Sequence, residues 1–143
     1  MLIFINKGVV AMTEMQIWNI MQMGLISNAM YFVGLVLLTW LGFRFAAKMR
    51  ETQDAEMLGK VMVSLFYVLI GLSFLNVNMI AGDIIMGSAD AMAALADRSA
   101  MADNFVSDMS QSSLNPGGPL TIVFSLLPMV MQLLMTWGKA PSK

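Results

Sequence analysis

Methionine is the residue type in this chain that is best suited to bind a metal ion. The sequence contains 17 Met but no Cys and no His, which excludes disulfides, zinc sites and imidazole acid–base chemistry. Met21 with Met23, and Met129 with Met131, form Met-x-Met pairs, and thioether sulfur is a soft ligand that suits Cu(I). Alternate side chains of a helix point in nearly opposite directions, so neither pair converges on one ion. We therefore predict no metal site and methionines that act as flexible apolar filler, with copper binding as the alternative.

Three carboxylates recur at intervals of seven residues. Asp83, Asp90 and Asp97 would share one face of a continuous helix. Such a stripe suits a cation path or a docking face for a basic partner, but a solvated helix face explains it more simply. Acid–base catalysis would require the carboxylates to converge in a pocket, which spacing alone does not establish. The sequence therefore predicts no catalytic residues and a protein that is not an enzyme.

The composition places these residues in a membrane protein. Hydrophobic residues make up 58% of the chain and charged residues only 12%, whereas soluble domains carry about 25% charged residues. No charge occurs in the stretches 15–43, 61–82 and 120–138, and about 20 apolar residues suffice for a helix to cross a bilayer. The net charge of −1 predicts no direct nucleic-acid partner, because displacing counterions requires basic clusters.

The order of these stretches predicts the architecture. We expect an all-α membrane protein: a two-helix transmembrane hairpin and a third hydrophobic helix, with an acidic amphipathic helix between them. The chain divides into an N-terminal leader or extension (1–14), the hairpin (15–82) with a basic bend (44–60), an acidic segment and turn (83–119), and the third helix with a basic tail (120–143).

The N-terminal region leaves two starts open, Met1 and Met12. The residues between them lack the basic leading region of a cleaved signal, so a cleaved leader is unsupported. Thr13 and Gln16 have the spacing of a capping box, which predicts that the first helix begins there. That helix is longer than one crossing requires. We expect its surplus to lie along the membrane surface before Asn28, where polar residues weaken the helix.

Basic residues gather in the bend, at Arg44, Lys48, Arg50 and Lys60. Each basic residue near an anionic bilayer surface contributes about 1 kcal/mol of attraction. We predict that these four bind phospholipid headgroups, the one non-protein component expected, although topology signalling explains them equally well. Because Lys and Arg are retained in the cytoplasm, the bend and the C-terminus should lie inside, and the N-terminus and acidic segment outside.

Small and polar residues within the spans predict helix packing. They are Asn28, Gly34, Gly42 and Gly71. Small residues let two helices approach closely, and an amide in hydrocarbon is costly unless it finds a partner across a helix interface. The packing they serve is either within the molecule or between subunits of an oligomer.

Residues 31–78 resemble a known class of membrane subunit. Val33-Gly34-Leu35 is followed by Phe43-Arg44-Phe45, a polar bend and a second apolar helix. This order is similar to the hairpin of type IV secretion and conjugation pilins, and to the small membrane subunits of Dot/Icm-type and IncI-type conjugation systems. The resemblance implies hairpins that reside in the bacterial inner membrane, multi-pass, and assemble side by side into a tube that becomes an extracellular pilus, often with phospholipid.

The function expected from these features is that of a non-enzymatic structural subunit, either a homo-oligomer or part of a larger membrane complex. Two alternatives stay open. One is an accessory subunit of a membrane enzyme complex of the respiratory or copper monooxygenase type, and the other is a holin-like pore former. Co-purification with large redox chains would favour the accessory subunit, and cell lysis on expression would favour the holin.

Overall fold

The computed structural model describes residues 12–52, 57–111 and 118–138. Within these ranges the chain forms four helices and no strand: α1 (Glu14–Glu51), α2 (Met57–Ala93), α3 (Ala100–Gln111) and α4 (Gly118–Trp137). Helices α1, α2 and α4 are each long and apolar enough to cross a membrane. This confirms the prediction of an all-α, multi-pass membrane protein. The question of a leader before Met12 concerns residues outside these ranges.

Helix α1 is unbroken over 38 residues, a length of about 57 Å. Its capping box is present: the Thr13 N–H donates to Gln16 Oε1 at 2.9 Å, and the Gln16 N–H donates to Thr13 Oγ1 at 3.3 Å. The expected break before Asn28 does not occur, and that prediction is wrong. Asn28 is buried and its Nδ2 donates to the Val77 carbonyl at 3.1 Å. The polar side chain is therefore satisfied without any unwinding of α1.

Helices α1 and α2 form an antiparallel hairpin around an apolar core. Leu35, Ile70, Phe74 and Val77 are buried together, and the ring of Phe32 meets that of Phe74 edge-on at 5.4 Å between centroids. Lipid tails are as apolar as these side chains, so close packing rather than exclusion of water holds this part of the molecule.

Helix α4 lies against both helices of the hairpin. Ser125 contacts Asn78, and Trp137 contacts Ser64, so α4 runs antiparallel to α2. The helix continues through Pro128.

At the other end of the long helices, α3 folds back to form a small helical cap. We call the start of α1, the last turns of α2 and α3 the acidic-end cap. Ile17, Met92 and Ala102 form its core, and the ring of Trp18 lies 5.1 Å from that of Phe105. Because this cap extends beyond the charge-free part of α2 and carries Glu14, Asp90 and Asp103, we expect it to lie outside the hydrocarbon.

The acidic segment is not the single amphipathic helix that was predicted. Asp83 and Asp90 belong to the last turns of α2, whereas Asp97 lies in the connection between α2 and α3. A shared helical face for all three would require one continuous helix, so the predicted stripe is wrong. All three carboxylates are exposed.

The fold also fixes which segments share a side of the membrane. Glu14 is hydrogen-bonded to Ser99 at one end, and the Lys60 ammonium lies 5.9 Å from the Trp137 ring at the other. The start of α1 therefore lies with the acidic segment, and the bend with the end of α4. Which of these two ends faces the cytoplasm stays a prediction of the positive-inside rule.

Candidate functional site

Helix α4 buries its polar residues and exposes its apolar ones. Ser125, Gln132 and Thr136 are its buried positions. A helix in water turns its apolar stripe inwards, but lipid offers no hydrogen-bond partners, so polar groups must be satisfied within the protein. The distribution is that of a helix embedded in lipid. The exposed residues include Leu120, Ile122, Val123, Phe124, Leu127 and Leu134.

Sequence reasoning missed this polar stripe. Ser125, Gln132 and Thr136 follow one another at intervals of seven and four residues, which places them on one face of a helix. A polar stripe at helical spacing within an otherwise apolar segment was the signal that could have located the contact between α4 and the hairpin.

Side-chain hydrogen bonds attach α4 to both helices of the hairpin. Asn78 Nδ2 of α2 donates to Ser125 Oγ at 2.7 Å, and Gln132 Nε2 donates to the Thr39 carbonyl of α1 at 2.8 Å. Such bonds between membrane helices contribute about 0.6–2 kcal/mol each. They fix the position of α4 along the hairpin as well as its rotation.

The end of α4 nearest the basic bend makes two further polar contacts. The hydroxyls of Thr136 and Tyr67 lie 3.3 Å apart, both within buried residues. The indole N–H of Trp137 donates to Ser64 Oγ at 2.9 Å. Polar contacts therefore accompany α4 from Ser125 to Trp137.

Two of the predicted packing glycines lie beneath α4. A Cβ atom on Gly42 would fall 2.5 Å from Gln132 Nε2, and one on Gly71 would fall 2.8 Å from Met129 Sδ. At both positions an added side chain would force the side chain above it to shift. These glycines stand at a helix contact within the molecule, and we call the surface that carries them the covered face.

Gln132 makes the tightest contact on the covered face. Its side chain is 0% exposed, and its Oε1 accepts no hydrogen bond from any residue in the described part of the chain. An unsatisfied buried acceptor costs about 1–3 kcal/mol. The gain from the bond to Thr39 is therefore partly offset, and the contact depends on how closely the amide can lie over Gly42.

The opposite side of the hairpin carries an open groove of about 760 Å³. Gly34 and Tyr31 of α1 line it, together with Ser73 and Asn76 of α2. A Cβ atom on Gly34 would meet nothing within 4 Å, so no other described helix packs closely against this predicted packing residue. We call this surface the open face.

Asn76 is the amide of the open face, beside the hydroxyls of Tyr31 and Ser73. It precedes Asn78 by two residues, so the two side chains point about 160° apart around α2. Asn78 reaches Ser125 on the covered face, whereas Asn76 is exposed and hydrogen-bonds to no other residue in the described ranges. The same helix thus presents one satisfied and one unsatisfied amide, on opposite sides.

The four basic residues predicted to bind lipid do not form one cluster. Arg44 and Lys48 line a depression of about 610 Å³ near the end of α1, with Leu41 and Phe45 as its apolar residues and Glu51 also at its edge. This depression could receive a phosphate headgroup whose acyl chains continue past the apolar residues.

The other two basic residues lie elsewhere. Lys60 sits over the Trp137 ring, and Arg50 is exposed and lines neither the groove nor the depression. The structure therefore separates the predicted set into one pair that shares a depression and two residues that do not.

Glu14 joins α1 to the start of α3 in the acidic-end cap. Its carboxylate accepts hydrogen bonds from the Ser99 N–H at 2.9 Å, the Ser99 hydroxyl at 2.7 Å and the Trp18 indole N–H at 3.1 Å. The backbone N–H of Ser99, followed by these side-chain donors, lowers the pKa of Glu14. This contact holds the turn between α2 and α3 against α1.

The described ranges contain no group of three or more His, Cys, Asp and Glu residues that could hold a metal ion. Met129 packs against Gly71, whereas Met131 is exposed. This Met-x-Met pair therefore points in two directions, as its helical spacing requires.

No family model, curated protein or solved structure matches this chain. The function must therefore be argued from the two faces and from the ends of the hairpin.

Proposed function

We propose that this protein is a non-enzymatic structural subunit that oligomerises through helix packing in the bacterial inner membrane. The class we favour is a pilin or a small membrane component of a type IV secretion or conjugation apparatus. We call this the structural-subunit proposal. The main support for this proposal is the open face, because a membrane surface with a glycine and an unsatisfied amide favours contact with another helix.

The covered face supports this proposal by showing how the same residue types are used elsewhere in the chain. Gly42 and Gly71 admit α4 closely, and Asn78 hydrogen-bonds across that contact. Gly34 and Asn76 repeat the combination where none of the four described helices lies. The open face therefore has the residue types that pack against another membrane helix.

We also propose that Arg44 and Lys48 bind an anionic phospholipid headgroup at the edge of the assembly. Both line the same depression, one helical turn apart, and the Arg44 guanidinium lies 5.2 Å from the Trp40 ring, a position typical of membrane interfaces. Arg50 and Lys60 are not part of this site.

The structural-subunit proposal is tested by measuring the native mass of the protein extracted with its surrounding membrane. We expect a mass of at least two copies. Gly34→Leu should lower that mass while leaving membrane insertion intact. The matched control is Gly87→Leu, because a Cβ at Gly87 also meets nothing within 4 Å but lies in the acidic-end cap.

Three outcomes would count against the proposal. A monomer in native membrane would overturn it. Stable co-purification with large redox chains would replace it by the accessory-subunit alternative, and lysis on expression would replace it by the holin-like pore.

A further inference from the structure

We infer that the open face is a self-complementary contact where a second copy of this chain packs about a two-fold axis normal to the membrane, its Asn76 amide hydrogen-bonded to that of the first copy. This inference rests on the structural-subunit proposal and specifies the partner and the geometry of its assembly.

The first step concerns the amides of the long helices. Asn28 donates to the Val77 carbonyl and Asn78 donates to Ser125 Oγ, so each finds a partner on a neighbouring helix. Asn76 is exposed and has no such partner among the residues that the structure describes. Asn19 and Gln22 of α1 are also exposed, but they lie toward the acidic-end cap, whereas Asn76 lies near the middle of the charge-free stretch of α2. Asn76 is therefore the exposed amide whose partner we infer to come from another chain.

The second step concerns depth. Asn76 precedes Asp83, the next charge along α2, by seven residues, which corresponds to about 10 Å of helix. It also follows the middle of the charge-free stretch 61–82 by only a few residues. Because the hydrocarbon is about 30 Å thick, this amide faces lipid tails, which can neither donate nor accept a hydrogen bond.

The third step identifies the partner. Copies of one membrane protein insert in the same orientation and at the same depth, so a residue on a shared contact meets residues of equal depth, its own equivalent included. A carboxamide carries both donors and acceptors, so two Asn76 side chains can satisfy each other. A two-fold axis brings identical patches together in this way.

The shape of the open face permits that approach. Gly34 leaves open space above α1. The Ser73 hydroxyl already donates to the Leu69 carbonyl at 2.7 Å, so it requires no partner of its own. Tyr31 and Trp40, which are 71% and 60% exposed at the groove, supply large apolar contact surfaces. No charged side chain lines the groove, so two copies meet without repulsion there.

A two-fold contact has a consequence for assembly. It closes on itself, whereas the open-ended growth of a filament requires two different surfaces that meet head to tail. The form of the protein in the membrane is then a dimer, and any larger assembly grows from dimers through other surfaces.

Disulfide cross-linking in membranes tests this contact cleanly, because the chain contains no Cys. Ser73→Cys places a thiol on the open face one turn from Asn76 and leaves the amide in place. We expect oxidation to convert this variant largely into a covalent dimer. Leu127→Cys is the control: it is exposed on α4, two residues from Ser125 and so near the depth of Asn76, and it should cross-link little.

A second variant separates the amide pair from mere proximity. Adding Asn76→Leu to Ser73→Cys should weaken dimerisation by about three- to thirty-fold, the range that interhelical hydrogen bonds in membranes give. Protease resistance of the double variant should match that of Ser73→Cys, because Asn76 makes no contact that holds the monomer together.

The outcomes are distinguishable. Equal cross-linking at Leu127→Cys, or unchanged cross-linking on loss of Asn76, would overturn the inference. A native mass of several copies without cross-linking at Ser73→Cys would also overturn it while leaving the structural-subunit proposal intact. A monomeric native mass would overturn both.

Discussion

The two faces of the α1–α2 hairpin are built from the same kinds of residue but meet different surroundings. On the covered face, Gly42 lies under Gln132, and Asn78 is bonded to Ser125. On the open face, a Cβ atom on Gly34 would meet nothing within 4 Å, and Asn76 is exposed. Glycine and asparagine in a membrane helix therefore mark a contact without indicating whether its partner belongs to the same chain.

The two faces also differ in the interactions that hold membrane helices together. Because lipid replaces water around the helices, burial of apolar area provides no driving force, and close packing and interhelical hydrogen bonds must hold the structure. The covered face has both. The open face has the residues that such packing requires, but within residues 12–52, 57–111 and 118–138 no helix packs against it. Four measurements can test whether the two faces differ in this way.

The largest effect is expected at Gly42. Gly42→Ala places a Cβ atom 2.5 Å from Gln132 Nε2, which displaces the amide and strains its bond to Thr39. Overpacking of this kind costs about 1–3 kcal/mol, and unfolding in mixed micelles should report the loss. Gly34→Ala is the matched control and should stay within about 0.5 kcal/mol. Equal losses would show that the two faces do not differ in packing.

The amides should behave in the same contrasting way. Asn28→Leu removes the bond to the Val77 carbonyl and should lower the stability of the monomer by about 0.6–2 kcal/mol. Asn76→Leu should leave that stability unchanged or slightly raised, because the amide has no partner to lose. A monomer destabilised equally by both substitutions would contradict the assignment of Asn76 to the open face.

Bound phospholipid tests whether lipid rather than protein is the main occupant of the open face. Arg44→Ala with Lys48→Ala should reduce co-purifying anionic phospholipid, each charge contributing about 1 kcal/mol, or about five-fold in affinity. Arg50→Ala is the control, because Arg50 does not line the depression. If Asn76→Leu also releases this lipid, the headgroup depression and the open face form a single lipid site.

The smallest effect is expected at the acidic-end cap, and it should leave both faces untouched. The folded state lowers the pKa of Glu14 through hydrogen bonds from Ser99 and Trp18, so the resulting stability is present above the ordinary carboxyl pKa of 4.5 and is lost as the pH falls through the lower folded value.

Protection of the start of α3 from hydrogen exchange, taken relative to the intrinsic exchange rate at each pH, should therefore fall in acid, with a weaker pH dependence in Glu14→Gln. Exchange in α4 should not follow the same curve. If it does, the acidic-end cap and the covered face open as one unit, which would contradict our expectation that the cap unfolds independently of α4.

Much of the fold could be predicted because it depends on local pattern. Thr13 and Gln16 show the start of α1, and the charge-free stretches locate the helices that can cross a bilayer. The end of α2 could not be predicted: a helix past Asp83 was expected, but the chain turns after Ala93, and Ala102 of α3 packs with Met92 and Ile17. That contact joins residues far apart in the sequence, and no local pattern contains it.

For the candidate site, the sequence identified individual residues but not the contacts between them. Sequence singled out Asn28, Gly34, Gly42 and Gly71 as packing residues because lipid makes glycine and amide side chains conspicuous. It did not connect Gly42 with Gln132 or separate Arg44 and Lys48 from Lys60. Those relations depend on how three helices rotate against one another, which is decided by contacts at long sequence separation.

The sequence by itself determined that this chain enters a membrane, because the free energy of placing charges in hydrocarbon depends only on where charges are absent. It also determined which residue types could form helix contacts there. Only the tertiary structure decided that α4 covers Gly42, Gly71 and Asn78 and leaves Gly34 and Asn76 exposed. The physical reason is geometric: one helix can cover only one side of a two-helix hairpin, and the polar stripe of α4 matches the side that carries Thr39 and Asn78.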